Sequence, residues 1–235
     1  MIKRKKLGQH FLNSKLIAEK IILEANITPK DIVFELGTGL GVLTPFLCKN
    51  AKKVFSIELD EDLFKEAKKN FSKIHNLTLT YGDGLKTKKQ FTVFVSNLPY
   101  SKSKEIIEWL ATVPFFHGVI MVQKEFAEKL LTTSPKNRRA VNVVANYTFE
   151  IQKILKVGKK NFNPNPKIDS VVLKIIKKRS IEKEVIAIIN KIFSYRRKKI
   201  SNILKQFKKE SSSEKRLDDL SVEEIVELAR EIHKI

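Results

Sequence analysis

One cysteine stands in 235 residues. Cys48 therefore has no partner for an intramolecular disulfide, and a multi-cysteine zinc site is excluded. Long apolar runs are missing too: none approaches the roughly 18 residues that mark a membrane span. The basic N-terminus, Met1-Ile2-Lys3-Arg4-Lys5-Lys6-Leu7-Gly8, is not followed by an apolar stretch, which does not support a secretory signal. His10, His75, His117 and His233 are scattered, so no metal is expected. Acidic residues are few beside basic ones: 26 Asp+Glu face 46 Lys+Arg, a formal net charge of +20. These absences predict a soluble, cytoplasmic protein that engages no membrane.

What is present bounds the answer further. Hydrophobic residues make up 42% of the chain, enough to bury a core, so disorder or a fibrous fold is excluded. The excess of positive charge calls for a polyanionic partner, with nucleic acid the leading candidate. It is uneven. Residues 1–150 hold 24 Lys+Arg against 15 Asp+Glu, and residues 151–235 hold 22 against 11, so charge is densest in the last third.

Apolar periodicity alternates between strand and helix over the first 150 residues. Ser14–Ala25 reads as a helix. Ile32–Phe34, Lys53–Glu58, Leu77–Tyr81, Phe91–Ser96 and Gly118–Val122 read as strands. Val42–Lys49, Lys104–Ala111 and Lys124–Leu131 read as helices between or after them, and Asp60 as a helix cap. Ser134–Arg139 is a polar, basic loop. Phe149–Val157 and Ser170–Ile176 return to strand, and 181–193, 199–207 and 222–232 are helical. This pattern predicts βαβ units around a parallel sheet, with a domain boundary near residue 179: residues 1–179 form an α/β domain and 180–235 a small, basic helical one. In such sheets ligands bind beyond the carboxyl ends of the strands, where the polar motifs of this chain lie.

Glu35-Leu36-Gly37-Thr38-Gly39-Leu40-Gly41 follows the first of these strands. Glycine allows a tight turn and close approach of a ligand to the backbone. The dinucleotide spacing G-x-G-x-x-G is not met, because position 42 is valine, and no phosphate-cradling G-x-x-x-x-G-K-[ST] is present. The next strand ends in Glu58, placed to accept from ribose hydroxyls, and the third in Asp83, placed to bond an adenine amine. A glycine turn with two strand-end acids suits an adenosyl ligand without pyrophosphate.

Asn97-Leu98-Pro99-Tyr100 follows the fourth strand. An exocyclic adenine amine is a weak nucleophile, because its lone pair is delocalised into the ring. Acceptors aimed at its N–H groups favour a pyramidal nitrogen and stabilise the positive charge that develops on it. The Asn97 side-chain oxygen and the Leu98 carbonyl supply such acceptors. Pro99 stiffens the turn, and Tyr100 offers a face for stacking a base taken out of its helix.

With these residues in order, the chain resembles the ribosomal RNA adenine dimethyltransferases, whose branches include KsgA-type small-subunit enzymes and Erm-type resistance enzymes. Leu7–Leu12 is similar to the family's N-terminal motif, which implies cofactor contacts for Gln9, His10 and Leu12, with His10 at a position more often Asn. Glu35–Thr44, Glu58, Gly82-Asp83 and Asn97–Tyr100 match the cofactor and catalytic motifs, and Gln123–Ala127 resembles the segment after the fifth strand. Phe162–Ser170 resembles the late F-x-P-x-P-K-[VI]-[DN]-S motif, which implies that Phe162 holds the flipped adenine opposite Tyr100. Phe193–Leu204 and Leu220–Glu224 are similar to the small-subunit branch.

The resemblance implies a Rossmann-like methyltransferase domain that carries methyl groups from S-adenosylmethionine to adenosine N6, releasing S-adenosylhomocysteine. The expected target is a pair of adjacent adenosines near the 3′ end of small-subunit rRNA, met within a pre-ribosomal particle by a monomer during ribosome biogenesis. The RNA-binding set is Lys3, Arg4, Lys5, Lys6, Arg138, Arg139, Arg196, Arg197, Lys198 and Lys199, with a basic helix at 196–208 along the phosphates. Two alternatives stand: an Erm-type enzyme acting on large-subunit rRNA, and a non-catalytic RNA- or DNA-binding factor on the same fold.

Overall fold

The computed structural model describes residues 10–234, so Gln9, Lys3, Arg4, Lys5 and Lys6 lie outside the described residues. Two compact units share the chain. One is built from residues up to 106 with 114–127 and 151–177, the other from 107–113, 128–150 and 178–235.

In the first unit, β1 (Phe11–Leu12), α1 (Lys15–Ala25), β2 (Ile32–Leu36), α2 (Thr44–Asn50), β3 (Lys53–Glu58), α3 (Glu61–Asn70), β4 (Leu77–Tyr81) and β5 (Val93–Asn97) follow in order. Then come α4 (Ser103–Thr112), β6 (His117–Gln123), α5 (Lys124–Leu131), α6 (Ala140–Thr148), β7 (Phe149–Val157), β8 (Phe162–Asn163) and β9 (Ser170–Lys177). Seven strands form one sheet in the order β4-β3-β2-β5-β6-β9-β7, and β1 pairs with β8 in a separate two-stranded sheet. β4, β3, β2, β5 and β6 run parallel, and β9 joins β6 antiparallel.

The residues explain this order. β2 and β5 are almost continuous apolar runs, buried at Val33–Leu36 and Val93–Ser96. A strand reads this way when both faces of a parallel sheet are covered. β4 (LTLTY) is more polar and takes the edge. Its exposed Thr80 and Tyr81 suit an edge that meets water on one side. Helix entries are set by short polar side chains: Ser14 accepts from Ile17 N–H, and Asp60 accepts from Asp62 and Leu63 N–H, the cap expected from the sequence. The chain moves outward from β2 through β3 to β4, then returns to the other side of β2 with β5. The crevice at that reversal, at the carboxyl ends of β2 and β5, is where open α/β sheets bind ligands.

The second unit adds α7 (Lys183–Ser194), α8 (Ile200–Lys205) and α9 (Val222–His233). α9 packs against α6 and α7, through Ile225, Val226, Ala229 and Ile232. Its start is fixed by a capping box in which Ser221 accepts from Glu224 N–H and Glu224 accepts from Ser221 N–H. Arg230 on α9 donates to the Tyr147 hydroxyl of α6 at 3.1 Å.

Two sequence expectations need correction. The segment between 134 and 149 carries no helical signal, yet α6 is there. It is buried at eight of its nine positions, so no polar face gives it helical periodicity, and its three valines favour the strand reading. The basic helix expected over 196–208 is only Ile200–Lys205. Arg196, Arg197 and Lys198 form the turn that precedes it, with Lys198 N–H bonded to the Tyr195 carbonyl at 2.8 Å.

Candidate active site

A cavity of about 290 Å³ opens at the strand ends of the first unit, lined by His10 to Leu12, Glu35 to Leu40, Glu58, Asp83 and Asn97 to Lys102, among others. The fold brings together motifs that the sequence separates by up to 90 residues.

The floor is the turn after β2. Gly37, Gly39 and Gly41 have φ of +80°, +56° and +76°, the left-handed region that side chains disfavour. At Gly37 an added Cβ would meet nothing within 4 Å, so a ligand can approach the backbone there. At Gly41 an added Cβ would fall 2.2 Å from the Phe71 ring, so that glycine serves packing. Glu58 ties the turn down. One of its carboxylate oxygens accepts from Gly39 N–H at 2.8 Å, the other from Asp60 N–H at 2.9 Å. Each oxygen retains a lone pair for a further donor.

Glu35 lies beneath the turn, 1% exposed. It accepts from Thr44 Oγ1 at 2.8 Å and Ser56 Oγ at 2.6 Å, and Ser56 in turn contacts Thr38 Oγ1 at 2.6 Å. Burial pushes its carboxyl up to about 7; the two hydroxyls oppose that rise and Glu58 adds to it. Asp83 is exposed at the cavity wall, where it caps the 3₁₀ turn Gly84–Lys86 through Leu85 N–H at 3.0 Å. Capping uses one oxygen, so a helix-cap role and a ligand role coexist at this residue.

The opposite wall is the end of β5. Leu98 N–H donates to the Met121 carbonyl at 3.0 Å, and the Pro99 carbonyl accepts from Lys102 N–H at 2.9 Å, which fixes the path of Asn97–Tyr100. The Asn97 side-chain nitrogen donates to the His10 carbonyl at 3.3 Å. Its side-chain oxygen is buried and has no donor among the described residues. Leaving a buried acceptor unmet costs about 1–3 kcal/mol, which marks the place for a donor brought by a ligand. Tyr100 is partly buried, and burial raises its phenol above the ordinary value, with a Ser170 bond working against it. Its hydroxyl is 2.6 Å from Ser170 Oγ.

Phe162 is placed differently from the expectation. It is 1% exposed, pairs with Leu12 across the β1–β8 sheet and belongs to the hydrophobic core. It does not line the cavity. The ring on Tyr100 is His10, with centroids 5.6 Å apart and planes 29° apart. Leu12 is buried in the same core and touches the cavity edge.

Sequence reasoning assigned no role to Thr38, Thr44, Ser56 or Ser170. Thr44 and Ser170 lie inside quoted motifs, so a signal existed for them. Ser56 has none, because its role depends on the β2–β3 register, where it faces Glu35.

The basic candidates lie in the second unit, which brings two distant segments together. Arg138 donates to the Leu220 carbonyl at 2.6 Å, and Arg196 donates to the Lys136 carbonyl at 2.5 Å with Asp218 at 3.7 Å. Lys199 pairs with Glu214. Arg139, Arg197 and Lys198 are exposed.

The chain was compared with known proteins. The family model described as ribosomal RNA adenine dimethylase matches residues 2–234. A ribosomal RNA small subunit methyltransferase A from Thermotoga neapolitana is 35% identical over 96% of this chain and 90% of its own length. A probable one from Methanosarcina barkeri is 36% identical over 86% and 73%. Among solved structures, a dimethyladenosine transferase from Plasmodium falciparum superposes with a TM-score of 0.80 at 30% identity, covering 96% of this chain and 98% of that one. The 23S rRNA methyltransferase ErmE superposes at 0.68 with 21% identity, covering 95% and 99%, a likeness of fold alone. Family match, relatives and sheet order agree, and the chain belongs to the ribosomal RNA adenine dimethylase family.

Proposed function

We propose that this protein transfers methyl groups from S-adenosylmethionine to the N6 amine of adenosines in small-subunit ribosomal RNA. The observation that carries the reading is the buried, unmet side-chain oxygen of Asn97 at the wall of the cavity. An adenine amine is the donor that fits it.

The residues present suit the methyl donor. Glu58 keeps lone pairs for ribose hydroxyls, Asp83 keeps an oxygen for an adenine amine, and Gly37 leaves room against the backbone. Glu35 holds the turn through Thr44 and Ser56, with His10 and Leu12 at the edge. When bound, S-adenosylmethionine supplies an electrophilic methyl on a sulfonium. The chain's own task is to prepare the nitrogen. Asn97 Oδ1 and the Leu98 carbonyl accept its N–H groups and stabilise the charge that grows there. Pro99 stiffens their spacing, and Tyr100 stacks the base. Holding the reactants in line supplies much of the acceleration. No strong general base is needed, since an N6-ammonium is acidic and loses its proton to water.

Residues 1–179 carry this chemistry in our reading, and 180–235, with the loop at 134–139, hold the RNA. The substrate is a pre-ribosomal particle, the enzyme acts as a monomer in the cytoplasm, and two adjacent adenosines receive two methyls each. No helix among the described residues is long and apolar enough to cross a membrane. The named relatives favour the small-subunit target over the large-subunit one.

Asn97→Ala should reduce methyl transfer at least about 100-fold, the scale of losing one preorganised group, while RNA affinity measured by filter binding stays within twofold. A variant that methylates normally rejects this mechanism. Failure of the wild-type protein to bind S-adenosylhomocysteine would instead favour the non-catalytic alternative.

A further inference from the structure

We propose that His10 is a gate on the acceptor site: its imidazole holds the face of Tyr100 that the target base must occupy, so base entry requires this side chain to leave. The inference rests on the adenine-methylation reading above.

His10 touches both groups that the base needs. Its ring stacks on Tyr100 with centroids 5.6 Å apart. Its carbonyl accepts from the Asn97 side-chain nitrogen at 3.3 Å, on the same amide whose oxygen lacks a donor. A flat base inserted between two rings needs two van der Waals intervals, about 7 Å in all, so the observed gap does not admit one. The stack is a single contact that a nucleobase must replace.

The hold on His10 is local and reversible. Nδ1 donates to the Pro164 carbonyl at 2.8 Å, and the neighbouring residues 11–12 pair with 162–163 in a sheet only two residues long. Nothing covalent fixes the ring, and its half-buried setting lets water take over the Pro164 bond when it swings out. Tyr100 stays put, because its hydroxyl is anchored to Ser170, which is fully buried on β9. One partner of the stack is therefore fixed and the other exchangeable. The consequence is kinetic. When a site is open for only a fraction of the time, apparent affinity falls by that fraction. Removing the imidazole raises the open fraction.

The family motif more often carries Asn at this position, so His10→Asn removes the ring while keeping a polar side chain, and His10→Ala removes both. Methyl transfer from labelled S-adenosylmethionine to unmethylated small ribosomal subunits is measured for each, with S-adenosylhomocysteine affinity by calorimetry on the full chain. The expected result is a kcat/KM for the particle raised about threefold or more in both variants, through KM, with S-adenosylhomocysteine affinity within twofold of wild type. An unchanged or lowered kcat/KM overturns the gate. Loss of S-adenosylhomocysteine binding in both variants also overturns it, marking His10 as a cofactor-site residue. Absence of transfer by the wild-type protein defeats the functional reading itself, a different outcome from a slow His10 variant beside an active wild type.

Discussion

At Glu35 a carboxylate is buried among hydroxyls, and its ionisation is coupled to folding. Its carboxyl is raised to about 7 by burial, against about 4.3 for an unperturbed Glu. The folded state thus binds the proton more tightly than the unfolded one. Stability from this group is full below about pH 4.3 and is lost as pH rises through 7, a change on the order of 3 kcal/mol. Glu35→Gln keeps the shape without the charge. The stability of the variant relative to wild type should rise between pH 5 and pH 7.5 in paired denaturant titrations. A difference that stays flat over that window would show that Glu35 ionises as an ordinary exposed acid. Residue identities such as Glu58 and Asp83 were legible because strand ends and spacing fix their position. Ser170 and Ser56 were not, since their partners, Tyr100 and Glu35, are set by strand register. Phe162 was assigned a stacking role by resemblance, but pairing of β8 with β1 turns its side chain into the core.

Among the elements, the turn between β2 and α2 separates two uses of glycine. Gly37 and Gly41 share a left-handed φ, so alanine at either should cost roughly 1–2 kcal/mol in backbone strain. Only Gly41 adds a clash, with Phe71. Gly37→Ala should weaken S-adenosylhomocysteine binding about tenfold or more, beyond what its modest loss of Tm explains. Gly41→Ala should show the larger fall in Tm. Calorimetry and thermal melts check both, and the reverse ranking would remove Gly37 from the ligand surface. The parallel strands were readable as apolar runs ending in polar motifs. α6 was not, because a helix buried on nearly all sides has no polar stripe. The start of α8 was misread because Lys and Arg are good helix formers, whereas tertiary bonds from Arg196 and Arg216 hold 196–199 in a turn.

For the whole molecule, the charge of +20 was a sound guide to a polyanionic partner but not to which cations reach it. Arg138, Arg196 and Lys199 are engaged with Leu220, Lys136, Asp218 and Glu214 inside the second unit. The exposed Arg139, Arg197 and Lys198 are left to meet phosphates. Replacing these three with alanine should lower the slope of log affinity for RNA against log salt by about 2–3, near one for each phosphate deprived of its cation. An unchanged slope places the RNA surface elsewhere. Arg196→Ala should act mainly on the stability of the second unit. The central claim, adenosine N6 methylation on small-subunit RNA, is tested most directly by mapping methylated adenosines on both ribosomal RNAs, from cells with and without the protein. The account predicts dimethylated adenosines near the 3′ end of the small-subunit RNA that vanish when the protein is absent. The same marks present without it, or a protein-dependent mark only on the large-subunit RNA, would contradict the account.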